Sequence, residues 1–256
     1  MSAPAPAPQL PGCVAHLWID RPKGNVLDSA LCEDLRRRLG ALAEDPGVRL
    51  LVVEGAGPSF SFGASVQEHL PDRAEQMLRA LRALVTDLAE CPLPTLAAVR
   101  GRCLGGGLEV ALACDLLFLE QDAILGAPEI RLGVFAPWTT ALLQSAIPRA
   151  AAAELLLTGR DISAAEALAW GIANRVVPAG ELHACIAELA ERHFAPRSGA
   201  ALRVATHAWR QLGRGDLAAR MEAMHRTYVE QVLPLHDGTE GIRAFLEKRP
   251  PCWEDR

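Results

Sequence analysis

The chain has 256 residues, of which 50% are hydrophobic and 22% are charged, and its formal net charge is −5 at pH 7. This length and apolar content are enough for one sizeable core, which excludes a disordered polypeptide as the overall class. The negative charge argues against nucleic acid as the main partner, and no apolar run approaches the roughly 20 residues of a membrane span. We therefore expect neither a nucleic-acid nor a membrane partner.

The first residues differ in composition from the rest of the chain. Residues 1–12 are rich in proline and alanine and lack the basic start and apolar centre of a signal peptide, so we predict a flexible tail there. The seven cysteines contain no Cys-x-x-Cys pair and form no regular framework, which favours reduced thiols and a cytoplasmic location.

From residue 14 onward, predicted strands and helices alternate. The patterns predict, in chain order, strand 14–19, helix 29–44, strand 48–54, helix 73–90, and strands 95–99 and 116–120. Ser163 and Glu166 have the spacing of a capping box, which opens a helix that ends near Gly171. Helices dominate from Glu181 onward. The pattern is that of an α/β protein.

The segment Arg100–Cys114 carries the strongest indication of chemistry. Gly105, Gly106 and Gly107 separate the β-rich run 95–99 from an Ala- and Leu-rich run, which predicts a strand-to-helix turn. The first amides of a helix have no partner within it, and glycine allows a ligand to approach closely, so the triplet can direct N–H groups at a developing negative charge. Glu109 is expected one turn inside the helix. A simple close turn is the alternative interpretation.

A second carboxylate follows twenty residues later. Glu129 comes directly after Pro128, lies between Gly126 and Gly133, and has apolar neighbours that favour partial burial. Burial raises the pKa of a carboxyl group toward neutral pH, where the group exchanges protons readily. Two such groups beside an anion hole predict addition of water to a double bond through an enolate.

Three segments carry a family resemblance: Ser-Phe-Gly-Ala-Ser at 61–65, Cys-Leu-Gly-Gly-Gly-Leu-Glu at 103–109 and Pro-Glu-Ile-Arg-Leu-Gly at 128–133. In this order and spacing they resemble the crotonase (enoyl-CoA hydratase/isomerase) superfamily, and the similarity covers nearly the whole chain after residue 14. The resemblance implies an α/β fold, the crotonase-like spiral of ββα repeats with a helical C-terminal trimerisation region. Residues 13–195 would form the spiral core with the active site, and residues 196–256 the helical region.

Two further segments, 59–71 and 132–137, resemble the cyclohexa-1,5-diene-1-carbonyl-CoA hydratases of anaerobic benzoyl-CoA degradation. Most crotonases carry Asp in place of Ser65 and a Pro-Gly-x-Gly-Gly run in place of residues 136–140. The resemblance implies a hydro-lyase that adds water to a cyclic dienoyl-CoA thioester. A general 2-enoyl-CoA hydratase or isomerase is the nearest alternative. The other alternative is a non-catalytic homologue that binds CoA or RNA. Its ground is the basic run Arg36, Arg37 and Arg38 on a predicted helix. A solvated helix face explains this run more simply.

The family pattern also implies roles for single residues. The backbone N–H groups of Ala64 and Gly106 would bind the thioester oxygen, and Glu109 and Glu129 would handle the water and the proton, in an order that the sequence does not assign. For Trp138, lining the acyl pocket and filling the core both stay open. Coenzyme A is expected as part of the substrate, with no other cofactor and no metal, in a homotrimer or a hexamer. The expected contacts to substrate and CoA are Lys23, Val26, Ser61, Phe62, Gly63, Val134, Trp138 and Lys248.

Overall fold

The computed structural model describes residues 10–143, 146–213 and 216–254, so most of the predicted N-terminal tail lies outside the described part of the chain. The strands are β1 (Val14–Ile19), β2 (Leu50–Gly55), β3 (Thr95–Val99), β4 (Arg102–Leu104), β5 (Leu116–Glu120), β6 (Ile124–Gly126), β7 (Asp161–Ser163) and β8 (Arg175–Val177). The helices are α1 (Ser29–Glu44), α2 (Ala74–Glu90), α3 (Gly106–Ala113), α4 (Pro137–Leu143), α5 (Arg149–Thr158), α6 (Ala164–Ala169), α7 (Leu182–Leu189), α8 (Gly199–Gly213), α9 (Leu217–Thr227) and α10 (His236–Glu247). Short 3₁₀ turns span Val66–His69 and Pro128–Leu132, and π-helical turns span Ala190–Phe194 and Tyr228–Val232.

The larger sheet has five parallel strands in the order β1-β2-β3-β5-β8. Its registers pair Val14 with Leu50, Leu51 with Thr95 and Leu96 with Leu116. Every residue of β2 and β3 is buried, which explains why these strands are nearly continuous apolar runs. Alternate side chains pack into two cores, since Leu51 belongs to one hydrophobic cluster and Leu50 to the other.

The smaller sheet positions the glycine triplet. In it β4 and β6 run parallel and β7 runs antiparallel to β6. The sequence interpretation was wrong in one respect here, because the strand that leads into the triplet is β4 of this sheet and not the run 95–99. The chain turns at Gly101 after β3, and β4 is only three residues long, which is too short to produce a periodic pattern.

Most other predicted elements are confirmed. The predicted bounds of α1, β1, β3 and β5 agree with the structure, whereas β2 begins at Leu50 and α2 begins at Ala74. The capping box is present, since the Ser163 hydroxyl accepts the N–H of Glu166 and the Glu166 carboxylate accepts the N–H of Ser163. Among the described residues, none of the helices has both the length and the apolar character needed to cross a bilayer.

The three arginines of the basic run on α1 have hydrogen-bond partners within the protein. Arg36 donates to Asp87 of α2 over 2.7 Å, Arg37 donates to Asp34, and Arg38 donates to the carbonyl of Trp18. These contacts agree with the interpretation of the run as a polar helix face.

The C-terminal helices pack on the rest of the described chain: α9 lies against α4, and α10 lies against the turn Pro128–Leu132. Arg210 of α8 connects this region to the segments that precede β3 and β5. Its buried guanidinium donates to the Asp115 carboxylate, with Nε 2.9 Å from Oδ1, and to the carbonyls of Cys91 and Leu93. The division into 13–195 and 196–256 stays a prediction.

We predict that Arg210→Met destabilises the protein by about 3 kcal/mol or more, because it leaves the Asp115 carboxylate buried without its cation. Urea denaturation at pH 7 measures the change. Arg192→Met is the control, since the pair of Arg192 with Glu188 lies on an exposed helix surface and contributes little. Equal stability of the two variants would contradict the role given to Arg210.

Candidate active site

The loop 61–64 and the start of α3 are brought together by β4. Ser61 forms an isolated bridge with Cys103: its N–H donates to the carbonyl of Arg102 over 3.0 Å, and its carbonyl accepts the N–H of Leu104 over 3.0 Å. Because the loop runs alongside β4, the next residues of both segments also lie side by side. This places Ala64 next to Gly106.

The space beside the Cα atom of Gly106 is filled by Ala64. A Cβ atom on Gly106 would lie 3.0 Å from the backbone nitrogen of Ala64 and 3.1 Å from Cδ2 of Leu81, so a side chain there would push the two segments apart. Within the described part of the chain, neither the Ala64 N–H nor the Gly106 N–H donates a hydrogen bond. Two adjacent unpaired donors at a helix start are suited to binding a negatively charged oxygen.

Gly105 positions the second carboxyl group. Its φ of +50° lies in the left-handed region, and a Cβ atom there would lie 2.6 Å from Oε1 of Glu129. The Glu129 carboxyl therefore lies directly against the glycine turn. Its other oxygen, Oε2, is buried and has no hydrogen-bond partner among the described residues. Burial raises the pKa of Glu129.

Glu109 reaches the site from the first turn of α3 and is only 2% exposed. Its Oε1 accepts the backbone N–H of Trp138 over 2.8 Å and that of Thr139 over 3.1 Å. These amides open α4 and have no partner within that helix. Burial raises the pKa of Glu109, the charge of Glu129 raises it further, and the two hydrogen bonds partly oppose the shift.

The two carboxyl groups titrate as a pair, because ionisation of one raises the pKa of the other. Such a pair can hold one proton at neutral pH and supply both a proton acceptor and a proton donor. Together with the two free N–H groups, the arrangement is suited to chemistry in which a carbonyl oxygen becomes an enolate. The partial burial predicted for Glu129 is confirmed, since the residue is half-buried and its Oε2 atom is buried.

The comparisons with known proteins agree with this geometry. The sequence profile of the family described as Enoyl-CoA hydratase/isomerase matches residues 10–256. The chain belongs to this family, the crotonases. A cyclohexa-1,5-dienecarbonyl-CoA hydratase from Thauera aromatica is 42% identical over 96% of this chain and 94% of the relative. A carnitinyl-CoA dehydratase from Proteus mirabilis (strain HI4320) is 35% identical over 96% of both chains.

Solved structures show the same fold. The crystal structure of an enoyl-CoA hydratase from Mycobacterium avium subsp. paratuberculosis K-10 matches with a TM-score of 0.85, covers 96% of this chain and 97% of that chain, and is 27% identical. The predicted crotonase family and α/β crotonase fold are therefore confirmed. The protein is an enzyme of the hydro-lyase class, of enoyl-CoA hydratase type.

Two of the residues expected to contact CoA, Lys23 and Phe62, line one cavity. Phe62 is 48% exposed, and its ring lies over Gly24. Lys23, Gly24 and Phe62 are among the residues that line a cavity of about 350 Å³, whereas Lys248 is not. The Ser61 hydroxyl is buried, where it donates to the carbonyl of Asn25 and accepts the N–H of Gly63, so this side chain shapes the loop.

The other predicted contacts lie deeper in the protein or at its surface. Val26 is half-buried, Val134 is buried, and Lys248 is exposed at the end of α10. The Trp138 side chain is fully buried, and its ring stacks on His225 of α9 with the centroids 6.2 Å apart. The described contacts thus favour a core role for the Trp138 ring, while its backbone N–H holds Glu109.

The sequence reasoning missed the amides of Trp138 and Thr139 as ligands of Glu109. A backbone donor has no signature of its own in a sequence. Pro137 was the available signal, because proline is favoured at the first position of a helix, and a helix start presents free N–H groups.

We predict that Gly106→Ala lowers kcat on an acyl-CoA substrate by roughly 100-fold or more, because the added methyl group separates the two donors. Steady-state kinetics measures the loss. Gly40→Ala is the matched control, because no atom lies within 4 Å of a Cβ atom on this helical glycine. The Gly40→Ala variant should have wild-type activity. Wild-type kcat in Gly106→Ala would exclude this pair of amides as the anion hole.

We also predict that Glu109→Gln is more stable than the wild type at pH 8 and that this advantage shrinks at pH 5. The folded protein binds the Glu109 proton more tightly than the unfolded chain does, so stability falls as the pH rises above the unfolded pKa of about 4.3. The glutamine amide oxygen still accepts both backbone N–H groups. Thermal denaturation at the two pH values measures the difference, and turnover should fall by at least about 100-fold.

The control for the pH effect is Glu191→Gln, at an exposed glutamate. Its melting temperature relative to the wild type should be the same at both pH values. An advantage of Glu109→Gln that is larger at pH 5 than at pH 8 would contradict the raised pKa.

Proposed function

We propose that the protein hydrates cyclohexa-1,5-diene-1-carbonyl-CoA to 6-hydroxycyclohex-1-ene-1-carbonyl-CoA. The observation that carries this proposal is the pair of buried carboxyl groups beside two adjacent unpaired backbone amides. The preference for a ring is supported by the segments 59–71 and 132–137 and by the 42% identity to the relative from Thauera aromatica that bears this activity in its name.

The proposed reaction begins at the thioester. The amides of Ala64 and Gly106 bind its carbonyl oxygen, on which negative charge builds up as an oxygen nucleophile attacks the β-carbon. Each such donor lowers the barrier by roughly 3 kcal/mol in other oxyanion holes. Because the amides are fixed by β4 and by the glycine turn, they need not reorganise during the reaction.

The two glutamates divide the proton transfers. One carboxylate takes a proton from water while the water oxygen bonds to the β-carbon, and the electron pair of the C1=C2 bond moves into the enolate. The other carboxyl group delivers a proton to the far end of the conjugated system, so that one ring double bond remains, now between C1 and its other neighbour. The atoms of one water molecule are added, and the carboxyl pair ends with the same number of protons.

The CoA arm would run along the loop 61–63 to the cavity of about 350 Å³ beside Lys23. The Lys23 ammonium is exposed at the mouth of this cavity, where it can meet a phosphate group. We extend the same role to Lys248, as the family pattern implies. Val26 and Val134 would contact the pantetheine and acyl parts.

The second candidate is a general 2-enoyl-CoA hydratase. It is favoured by the Trp138 ring, which stacks on His225 and is fully buried, so the residue that sets this chain apart from many relatives acts in packing. An anion hole and a carboxyl pair would serve a linear enoyl thioester equally well.

The location, the assembly and the pathway of the enzyme are part of the same proposal. We place it in the cytoplasm, as a homotrimer or a dimer of trimers, within anaerobic benzoyl-CoA degradation. The seven cysteines are all free thiols, which is expected of a protein in a reducing compartment.

We predict that the purified protein hydrates cyclohexa-1,5-diene-1-carbonyl-CoA with a higher kcat/KM than crotonyl-CoA. Mass spectrometry and NMR of the product identify the position of the hydroxyl group. Glu129→Gln should lose activity on both substrates, because the proton transfers are common to them. A preference for crotonyl-CoA would favour the second candidate, and wild-type turnover in Glu129→Gln would contradict the two-carboxylate mechanism.

A further inference from the structure

Several buried polar atoms near the two carboxyl groups have no hydrogen-bond partner in the described part of the chain. They are Glu129 Oε2, Trp138 Nε1, Thr139 Oγ1, the Tyr228 hydroxyl and Nδ1 of His225, whose ring stacks on Trp138. Trp138 and Thr139 form the helix start that holds Glu109. Buried polar groups in folded proteins are almost always hydrogen-bonded, so a concentration of unpaired ones at a single place indicates contact with a polar ligand.

Tyr228 brings a hydroxyl group to this place from the C-terminal region. It opens the π-helical turn that continues α9, the helix that packs against α4. Its ring lies 5.5 Å from the ring of Phe135, which precedes α4, and the residue is 1% exposed. Phe135 lies between Val134, whose N–H donates to the Glu129 carbonyl, and α4, whose first amides hold Glu109, so Tyr228 packs on the segment that joins the two glutamates. The charges of both glutamates act on the phenol.

The environment keeps this hydroxyl protonated. Burial raises the pKa of Tyr228 far above its ordinary value, and the charges of the two glutamates raise it further. The phenol is therefore a hydrogen-bond donor at every pH at which the enzyme would work, and it takes no part in proton transfer.

We infer that Tyr228 is a positioning residue whose hydroxyl donates a hydrogen bond to the oxygen atom that is added to the substrate. This inference rests on the proposed function. As a glutamate removes a proton from the water, that oxygen becomes more negative, and a fixed O–H donor stabilises it and directs its lone pair at the carbon. In the reverse direction the same contact supports the departing hydroxide.

A purely structural role explains Tyr228 less well. A tyrosine that fastens two elements together does so with its hydroxyl bound to a protein acceptor, and this hydroxyl has none among the described residues. The other unpaired groups have further roles: Glu129 belongs to the proton-transfer pair, and the Trp138 ring is held by His225. Thr139 carries the other unpaired hydroxyl, on the helix start whose amides hold Glu109, and Tyr228 carries the one that the C-terminal helices contribute.

Tyr228→Phe tests the inference because it removes the hydroxyl and leaves the ring in place. We expect kcat to fall about 10- to 100-fold and KM to stay within about 2-fold. The melting temperature should be unchanged or higher, since an unpaired buried polar atom is removed. Thr86→Val is the control, because it removes a hydroxyl that contacts Met221 of α9 over 3.8 Å, and it should leave kcat unchanged.

A lower melting temperature with wild-type kcat would identify Tyr228 as structural and overturn the inference. The activity of the wild type distinguishes a failure of the inference about Tyr228 from a failure of the proposed function. If the wild type hydrates no enoyl thioester, the proposed function fails. If the wild type is active and Tyr228→Phe is equally active, only the inference fails.

A spectroscopic test follows from the composition, because the chain contains a single tyrosine. Growth with 3-fluorotyrosine therefore labels position 228 alone and gives one fluorine resonance. Adding 6-hydroxycyclohex-1-ene-1-carbonyl-CoA should shift this resonance, whereas free coenzyme A should not. An equal shift with both ligands would contradict contact with the hydroxyl oxygen.

Discussion

The site depends on the missing side chains of Gly105, Gly106 and Gly107. The position that a Cβ atom would occupy on each glycine is taken by a residue from another part of the chain. Glu129 Oε1 lies 2.6 Å from that position on Gly105, the Ala64 nitrogen lies 3.0 Å from it on Gly106, and Ser61 Cβ lies 2.6 Å from it on Gly107. Two segments that are distant in sequence, the loop 61–64 and the turn that carries Glu129, therefore converge on one helix start because it has no side chains to keep them apart.

The same convergence explains the electrostatics. Two carboxyl groups are removed from water at one place, which raises the pKa of both and makes their simultaneous ionisation unfavourable. Only part of this cost is offset locally, since Oε1 of Glu109 accepts two backbone N–H groups while Oε2 of Glu129 accepts none. The remaining free-energy cost is offset by packing elsewhere in the fold. The fully buried strands β2 and β3 and the Arg210 contacts supply such packing away from the site.

The sequence was sufficient for the main elements, and the structure brings the four residues predicted for the chemistry, Ala64, Gly106, Glu109 and Glu129, to one place. Long periodic segments such as α1 could be bounded correctly, and the glycine triplet identified a helix start with Glu109 inside it. It was not sufficient for β4, because three residues leave no periodicity. The family pattern supplied the partnership of Ala64 with Gly106, which no local pattern contains, since it depends on the bridge between Ser61 and Cys103.

The part of the site that the sequence did not reveal is contributed by backbone groups and by the C-terminal helices. The amides that hold Glu109 come from a helix of seven residues, and Tyr228 is separated from Glu129 by nearly a hundred positions. What joins them is the packing of α9 on α4, through the stacked rings of Trp138 and His225. A change in this packing moves the helix start that binds Glu109 and the hydroxyl of Tyr228 together. The C-terminal region therefore influences the chemistry from within its own chain, whatever part it also plays between subunits.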